Sequence, residues 1–422
     1  MTDFDVVVVG AGAAGSSAAI SAARTGARTL LVDRFGFMGG TSTAVLDTFY
    51  AFYTPGESPR RVVGGLAWEV VERLRAEGVC FERPNTYGAG TGVTYDQETL
   101  KVVWEQLAAD AGVELLLHTW ATGVRLDGRR VAAVRLWNKG GERWLAAGAL
   151  IDASGDADVS AFAGADYEDV HTGGQVQSLS TLFRLANVDV ARASQTSKAE
   201  LWAKMRAAAA GGEYRLPRLE GSWHRTPFDG VVMVHMTRVP NVDATDPAAL
   251  TRAEVEGRRQ VREYHRFLRD LVPGFDNSVV VGTSPSIGIR ESRRVIGDYQ
   301  LARDDVLAAR RFDDEIALCG APIEDHGPGG GTDWHYLPGG AVYGIPYRCL
   351  LPRGIDGLLV AGRCFSASHD AHASARSMAT CMAMGQAAGT AAALAASAGN
   401  LPRAVDVAEL RRRLVAAGGL LE

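Results

Sequence analysis

Residues 10–15 read Gly-Ala-Gly-Ala-Ala-Gly and lie between a continuous apolar run at 5–9 and a small-residue helical pattern at 16–25. Gly26 stops that helix, and a second apolar run at 29–32 ends at Asp33 and Arg34. Parallel strands are buried on both faces and read as unbroken apolar runs, so this order predicts strand, glycine turn, helix and parallel strand. Each glycine of the turn has its own task. Gly10 permits the tight turn, Gly12 lets a pyrophosphate approach the backbone, and Gly15 lets helix and strand pack closely. The free N–H groups at Ala13, Ala14 and Gly15, together with the helix dipole, then face the phosphates. Asp33 is placed to accept hydrogen bonds from a ribose and to repel a 2′-phosphate. By itself such a unit holds the ADP half of a dinucleotide and does not separate FAD from NAD.

The rest of the chain falls into alternating legible and irregular stretches. Residues 35–95 are rich in Gly, Pro and Thr, with one helical pattern at 66–77. A helix is predicted at 96–111 and a strand at 114–117. Alternating segments at 121–126, 130–137 and 142–146 surround the turn signals Asp127-Gly128 and Gly140-Gly141, which predicts a three-stranded meander. A separate buried strand is expected at 149–153. From 166 to 337 the pattern is mixed, with helices expected at 198–210, 250–270 and 304–309. Sharp signals return with a strand at 357–361 and one long Ala-rich helix over 375–398.

Composition excludes several classes. The 422 residues have a formal net charge of -5, with 22% charged and 47% hydrophobic residues. That balance gives no electrostatic reason to expect nucleic acid or an anionic membrane as partner. No apolar stretch suits a spanning helix, since 385–398 carries Gln386, Thr390 and Ser397. The apolar run at 5–9 leaves no room for a charged leader region. The cysteines at 80, 319, 349, 364 and 381 form neither a redox pair nor a metal-ligand spacing. They read as buried thiols of a reducing cytosol, so no metal and a cytoplasmic location are expected.

Four stretches carry a resemblance to the FAD-dependent oxidoreductases built on the glutathione-reductase-type FAD fold. They are the glycine turn running on to Gly39-Gly40-Thr41, the segment 151–156 with Asp152, Gly155 and Asp156, the segment 288–294, and Gly362-Arg363 running through to Gly385-Gln386. The chain looks most like the bacterial members related to fumarate reductase and ketosteroid dehydrogenase flavoproteins. The resemblance implies an α/β fold: an FAD-binding Rossmann domain over 1–45, 94–168 and 345–422, with an inserted α+β substrate domain over 46–93 and 169–344. It implies FAD as cofactor, with the turn at 152–156 bordering the pyrophosphate. Gly362-Arg363 would lie beside the ribityl chain, and the last helix near the pyrimidine edge of the flavin. No histidine stands near Gly39-Gly40, where fumarate-reductase relatives attach theirs covalently.

Catalytic candidates follow the Gly362-Arg363 turn. His369, Asp370, His372 and Arg376 can face the flavin, and a histidine can move a proton near neutral pH as a hydride leaves the substrate. The competing reading makes them hydrogen-bonded structural groups. Arg290 can orient a small substrate, a carboxylate among the candidates, by forked hydrogen bonds. Arg293 and Arg294 read as a paired structural face, with Glu291 available to neutralise them. Residues 327–331, followed by Trp334, His335 and Tyr336, read as a loop over the substrate or as plain loop. The expected activity is a dehydrogenase or oxidase taking a hydride from a small organic molecule. A flavin monooxygenase and a non-catalytic FAD-binding protein remain as alternatives, while the lack of a close cysteine pair disfavours a disulfide reductase. A single dinucleotide fingerprint argues against fast reduction by NADH or NADPH.

Overall fold

The structure is a computed structural model, and it describes residues 2–85, 90–169, 176–327 and 331–422. Strand β1 (Phe4–Val9), helix α1 (Ala13–Arg24) and strand β2 (Thr29–Val32) form the expected unit. Val6, Val7 and Val8 are fully buried because β1 runs inside a parallel sheet. Helix α2 (Gln97–Ala111) starts at Asp96, whose side chain accepts from the Thr99 N–H, and stops at Gly112 with φ +76. It leads into β3 (Glu114–Leu116), which pairs with β2.

The meander consists of β4 (Trp120–Asp127), β5 (Arg130–Asn138) and β6 (Gly141–Asp152). Here the structure corrects the sequence expectation of two strands at 142–146 and 149–153. β6 is one continuous strand whose first half pairs antiparallel with β5, Ala133 opposite Ala146. Its second half pairs parallel with β1, Val8 opposite Ile151. The change of partner leaves no backbone signal for a break.

A second sheet comes from the inserted region, in the order β8-β9-β7-β10: β7 (Phe183–Ala186), β8 (Ser222–Arg225), β9 (Val232–His235) and β10 (Val279–Thr283). Helix α3 (Pro247–Leu271) lies between β9 and β10 in sequence and begins three residues before the expected position, with Asp246 as its cap. Its buried positions Gly257, Val261, Tyr264 and Leu268 recur at helical spacing. Tyr264, Phe267 and Leu268 pack with Phe183, Val234 and Phe275 in a core of their own. Val295, Ile316, Leu318 and Ile345 pack elsewhere, in the main core with β1 and α1.

Strand β11 (Leu358–Val360) completes the parallel sheet by pairing with β6, Leu359 opposite Ile151. The helix expected over 375–398 is α5 (Met378–Ser397), which starts after Ser377, and a separate short helix, α4 (His369–Ala375), capped by Ser368, precedes it. No described helix is long and apolar enough to cross a membrane. Four cysteines are buried as expected, whereas Cys80 is half-buried at the start of the strand Cys80–Pro84.

Helices α1 and α5 approach at backbone distance. A Cβ on Gly389 would stand 2.0 Å from the Ala18 carbonyl oxygen, and one on Gly385 2.0 Å from that of Ala14. Alanine in a helix interior ordinarily gains about 1 kcal/mol over glycine. At Gly389 the contact reverses the sign. Gly389→Ala is expected to lower the unfolding free energy by about 1–3 kcal/mol, the usual cost of overpacking. Urea denaturation measures it, and an unchanged or raised stability would contradict this packing.

Candidate active site

Three backbone stretches meet at the glycine turn. A Cβ on Gly10, where φ is +100, would lie 2.3 Å from the Ala153 oxygen, and one on Gly15 would lie 1.7 Å from the Gly10 oxygen. The Gly39 N–H donates to the Ala11 oxygen at 2.7 Å, and a Cβ on Gly40 would stand 2.7 Å from the Gly12 Cα. Gly12 differs from all of these, because a Cβ there would meet nothing within 4 Å. The space before it is left by the protein, not filled. Helix α1 begins beside that space with no side-chain cap and no acidic residue in its first turn. The N–H groups of Ala13, Ala14 and Gly15 have no intrahelical acceptor, so they are available to an anion. The cradle fits the pyrophosphate of FAD.

Asp33 shapes the turn as well as facing it. Its carboxylate accepts from the Ala11 N–H at 2.5 Å and from the Phe35 N–H at 2.7 Å. Burial pushes this carboxyl above its ordinary range, and the two backbone donors oppose the shift. Arg34 is exposed, with its guanidinium 5.1 Å from the Phe35 ring centre. Thr41, also exposed, opens the short helix Thr41–Ala44.

On the other side of the turn, Asp152 is fully buried and saturated by the N–H and hydroxyl groups of Ser154 and Ser160, at 2.7–3.1 Å. It locks the bend that follows β6. Asp156 accepts from the Ser292 hydroxyl at 2.7 Å and pairs with Arg363 at 2.9 Å, while Arg363 also donates to Ser292 at 2.8 Å. Arg363 lies over Gly155, where a Cβ would stand 2.7 Å from its Nη2. This triangle joins three of the stretches singled out in the sequence. Gly362, with φ +80, brings the exit of β11 against Ala14. Gly385 packs on Ala14, and the Gln386 side chain accepts from the Leu66 N–H at 3.1 Å. Those two residues are engaged within the protein.

Helix α4 carries both catalytic-candidate histidines, and they differ in charge. His369 Nδ1 lies 3.0 Å from Glu291 and Nε2 3.3 Å from Asp325. Burial disfavours its cation, yet the two carboxylates outweigh burial and push its pKa up to about 9. His372 is wholly buried, and its Nε2–H donates to the Arg363 carbonyl at 2.8 Å. Burial, with Arg294 and Arg376 nearby, holds its pKa well below 6.5, so it is neutral. Asp370 pairs with Arg303 at 3.1 Å. Arg293 donates to the Asp156 carbonyl and pairs with Asp158, while Arg294 pairs with Glu291 and Glu168. Arg290 points elsewhere: it donates to the Ser178 carbonyl, to the Ser180 hydroxyl at 3.1 Å and to His235 Nε2 at 3.1 Å. Arg376 donates to Gln177 Oε1 at 2.8 Å and to the Glu324 carbonyl at 3.3 Å.

The structure adds partners that sequence reasoning missed, namely Gln177, Arg218, His235, Arg238, Glu324, Asp325 and His326. One signal was available: His235 and Arg238 interrupt an apolar run over 232–239. Of the expected loop at 327–331, residues 328–330 lie outside the described residues. Beyond it, Asp333–His335 is a short strand paired with Ile323–Asp325, and the Trp334 and Tyr336 rings stack at 5.9 Å.

Two outcomes are expected. Gly12→Val should fold normally, since a Cβ there meets no protein atom within 4 Å, yet lose FAD; unchanged circular dichroism with no bound flavin absorbance is the predicted pair, and retained yellow colour would sink the cradle. The raised pKa of His369 makes its ion pairs a pH-dependent stabiliser of at most about 3 kcal/mol. Because the folded-state value is the higher one, this contribution is complete below about 6.5 and is lost as pH rises toward 9. Unfolding free energies of the protein and of His369→Gln should therefore converge over that interval, and parallel curves would refute the ion pairs.

A family model described as FAD dependent oxidoreductase matches residues 5–414. No curated protein matches the chain. Among solved structures, a geranylgeranyl bacteriochlorophyll reductase-like protein from Thermoplasma acidophilum is 15% identical, with 98% of this chain and 83% of that one covered at a TM-score of 0.49. CabE, an aromatic hydroxylase from angucycline biosynthesis, is 16% identical, with 99% and 68% covered at 0.49. BexE, studied for oxidation during BE-7585A biosynthesis, is 17% identical at 0.49, and this chain, 97% covered, spans 64% of its length. With nearly its whole length matched by the family model, the chain belongs to the FAD-dependent oxidoreductases, and FAD is its cofactor.

Proposed function

We propose that this protein is a dehydrogenase or oxidase that takes a hydride from a small organic substrate, with dioxygen or an electron carrier as final acceptor. The observation that supports this reading is convergence on one turn. His372 holds the Arg363 carbonyl, Arg363 holds Asp156, and His369 shares Glu291 with Arg294. The candidate proton-handling groups thus rest on the segment that touches Ala14 at the FAD cradle. Bound FAD supplies the two-electron acceptor. Gly12, Ala13, Ala14 and Gly15 hold its pyrophosphate, Asp33 its ribose, and Gly155, Asp156, Gly362 and Arg363 the stretch beyond.

The two histidines divide the remaining work. His369 keeps 16% side-chain exposure, whereas His372 keeps none. His369 is the group that moves the proton, and His372 positions the Arg363 carbonyl. A base must be deprotonated to act, so substrate oxidation should speed up as pH rises toward the His369 value of about 9.

Anaerobic stopped-flow with a panel of metabolites tests this. One class of organic substrate should bleach the flavin, and His369→Ala should retain FAD, reduce about a hundredfold more slowly and lose that rise with pH. Wild-type rates and pH dependence in the variant would remove His369 from the chemistry. Fast bleaching by NADPH would move the assignment to a monooxygenase or reductase.

A further inference from the structure

Behind α4 lies a group of arginines that the proton chemistry does not use. The run 177–181 is unusually polar for buried backbone, with Gln177, Ser178, Ser180 and Thr181 all at most 3% exposed. Arg290 anchors on Ser178 and Ser180, Arg376 anchors on Gln177, and the Ser178 N–H donates to the His326 carbonyl at 2.9 Å. Arg238 donates to His326 Nδ1 at 3.3 Å and Arg218 to the His235 carbonyl at 3.4 Å.

The histidines here do not add charge and do not cancel it. His235 accepts from Arg290 through Nε2, and His326 pairs through Nε2 with Glu324 at 2.9 Å while accepting from Arg238 at Nδ1. Burial and the surrounding arginines hold both well below 6.5, so they are neutral. Arg290 itself is pushed well below its ordinary value by burial and then by Arg376, Arg218 and Arg238, with Glu324 opposing. Its guanidinium is bonded to a carbonyl, a hydroxyl and an imidazole nitrogen, and to no carboxylate among the described residues. Arg290 and Arg376 nonetheless keep partial exposure, unlike Arg218 and Arg238, which are sealed at 2% and 3%.

Two donors at this place are also left over. Arg376 Nε and Gln177 Nε2 are buried and have no hydrogen-bond partner among the described residues. They belong to side chains already tied to each other by the 2.8 Å bond from Arg376 to Gln177. A buried unpaired donor is costly, more so when charged, so two together call for an acceptor. Two N–H groups beside an excess of positive charge match the two oxygens of one carboxylate.

We propose that the substrate is a carboxylate whose oxygens accept from Arg376 Nε and Gln177 Nε2, with Arg290 supplying the balancing charge. This rests on the dehydrogenase or oxidase reading, with the substrate placed beside α4.

The FAD-loaded protein is titrated with acetate, lactate, malonate and inorganic phosphate, with isopropanol as a neutral control. Calorimetry and perturbation of the oxidised flavin spectrum report binding. At least one carboxylate should bind and isopropanol should not. Arg376→Lys keeps the charge but loses the Nε donor, and should weaken binding at least tenfold. Gln177→Glu, which replaces the donor by a carboxylate of the same shape, should do so as well, with flavin content unchanged in both. Equal affinity in the protein and both variants, or no carboxylate binding, would overturn the site. Tighter binding of phosphate than of every carboxylate would overturn the carboxylate assignment. Variant-sensitive binding without flavin reduction by any oxidisable carboxylate would uphold the anion site while defeating the dehydrogenase reading. Reduction by neutral substrates at rates unaffected by Arg376→Lys would do the reverse.

Discussion

The Ala14 carbonyl lies within 2.0 Å of the place a Cβ on Gly385 would occupy, and the Gly10 carbonyl within 1.7 Å of the place a Cβ on Gly15 would occupy. At this point in the fold backbones touch backbones, which only glycine permits. β1, α1, the exit of β6 and α5 are all brought to the cofactor end by these contacts. Because none of them is cushioned by a side chain, none can yield by a rotamer change. A rigid frame of this kind keeps the first amides of α1 aimed at one spot, and pre-aligned dipoles bind an anion without reorganising.

A second constraint is electrostatic and lies one layer further in. Glu291 is fully buried and shared by Arg294 at 2.9 Å and His369 at 3.0 Å. Removing one member of a buried pair leaves an uncompensated charge, at a cost of about 3–5 kcal/mol. The segment 288–294 is thereby held to α4, and through Ser292 to Asp156 and Arg363. The inserted region and the cofactor end are joined by charges whose geometry is specific, in addition to apolar area.

Much of this was legible in the residues. The glycine turn, β1, β2, the meander turns and α3 follow from periodicity and turn chemistry, which act over a few residues. The continuity of β6 was hidden because its two halves change partner, and partner choice is not local. The short helix α4 was not foreseen because seven residues span too few turns to show a period. Arg290, Arg293 and Arg294 are neighbours in sequence but point to three different places, Ser178, Asp158 and Glu168. Gln177, Arg218, Arg238 and His326 come together only through tertiary contacts, so no spacing rule could have grouped them.

The pairing of β11 with β6, Val360 against Asp152, also bears on how the protein is made. Synthesis proceeds from the N-terminus, and domains fold as their parts emerge. Here the glycine turn leaves the ribosome well before the strand that closes its sheet and the helix that packs on it. The inserted sheet, with its own apolar core, can condense in the meantime. Until β11 and α5 emerge, the nascent chain therefore carries an unfinished sheet edge and the bare flank of α1. Such edges invite pairing with other chains.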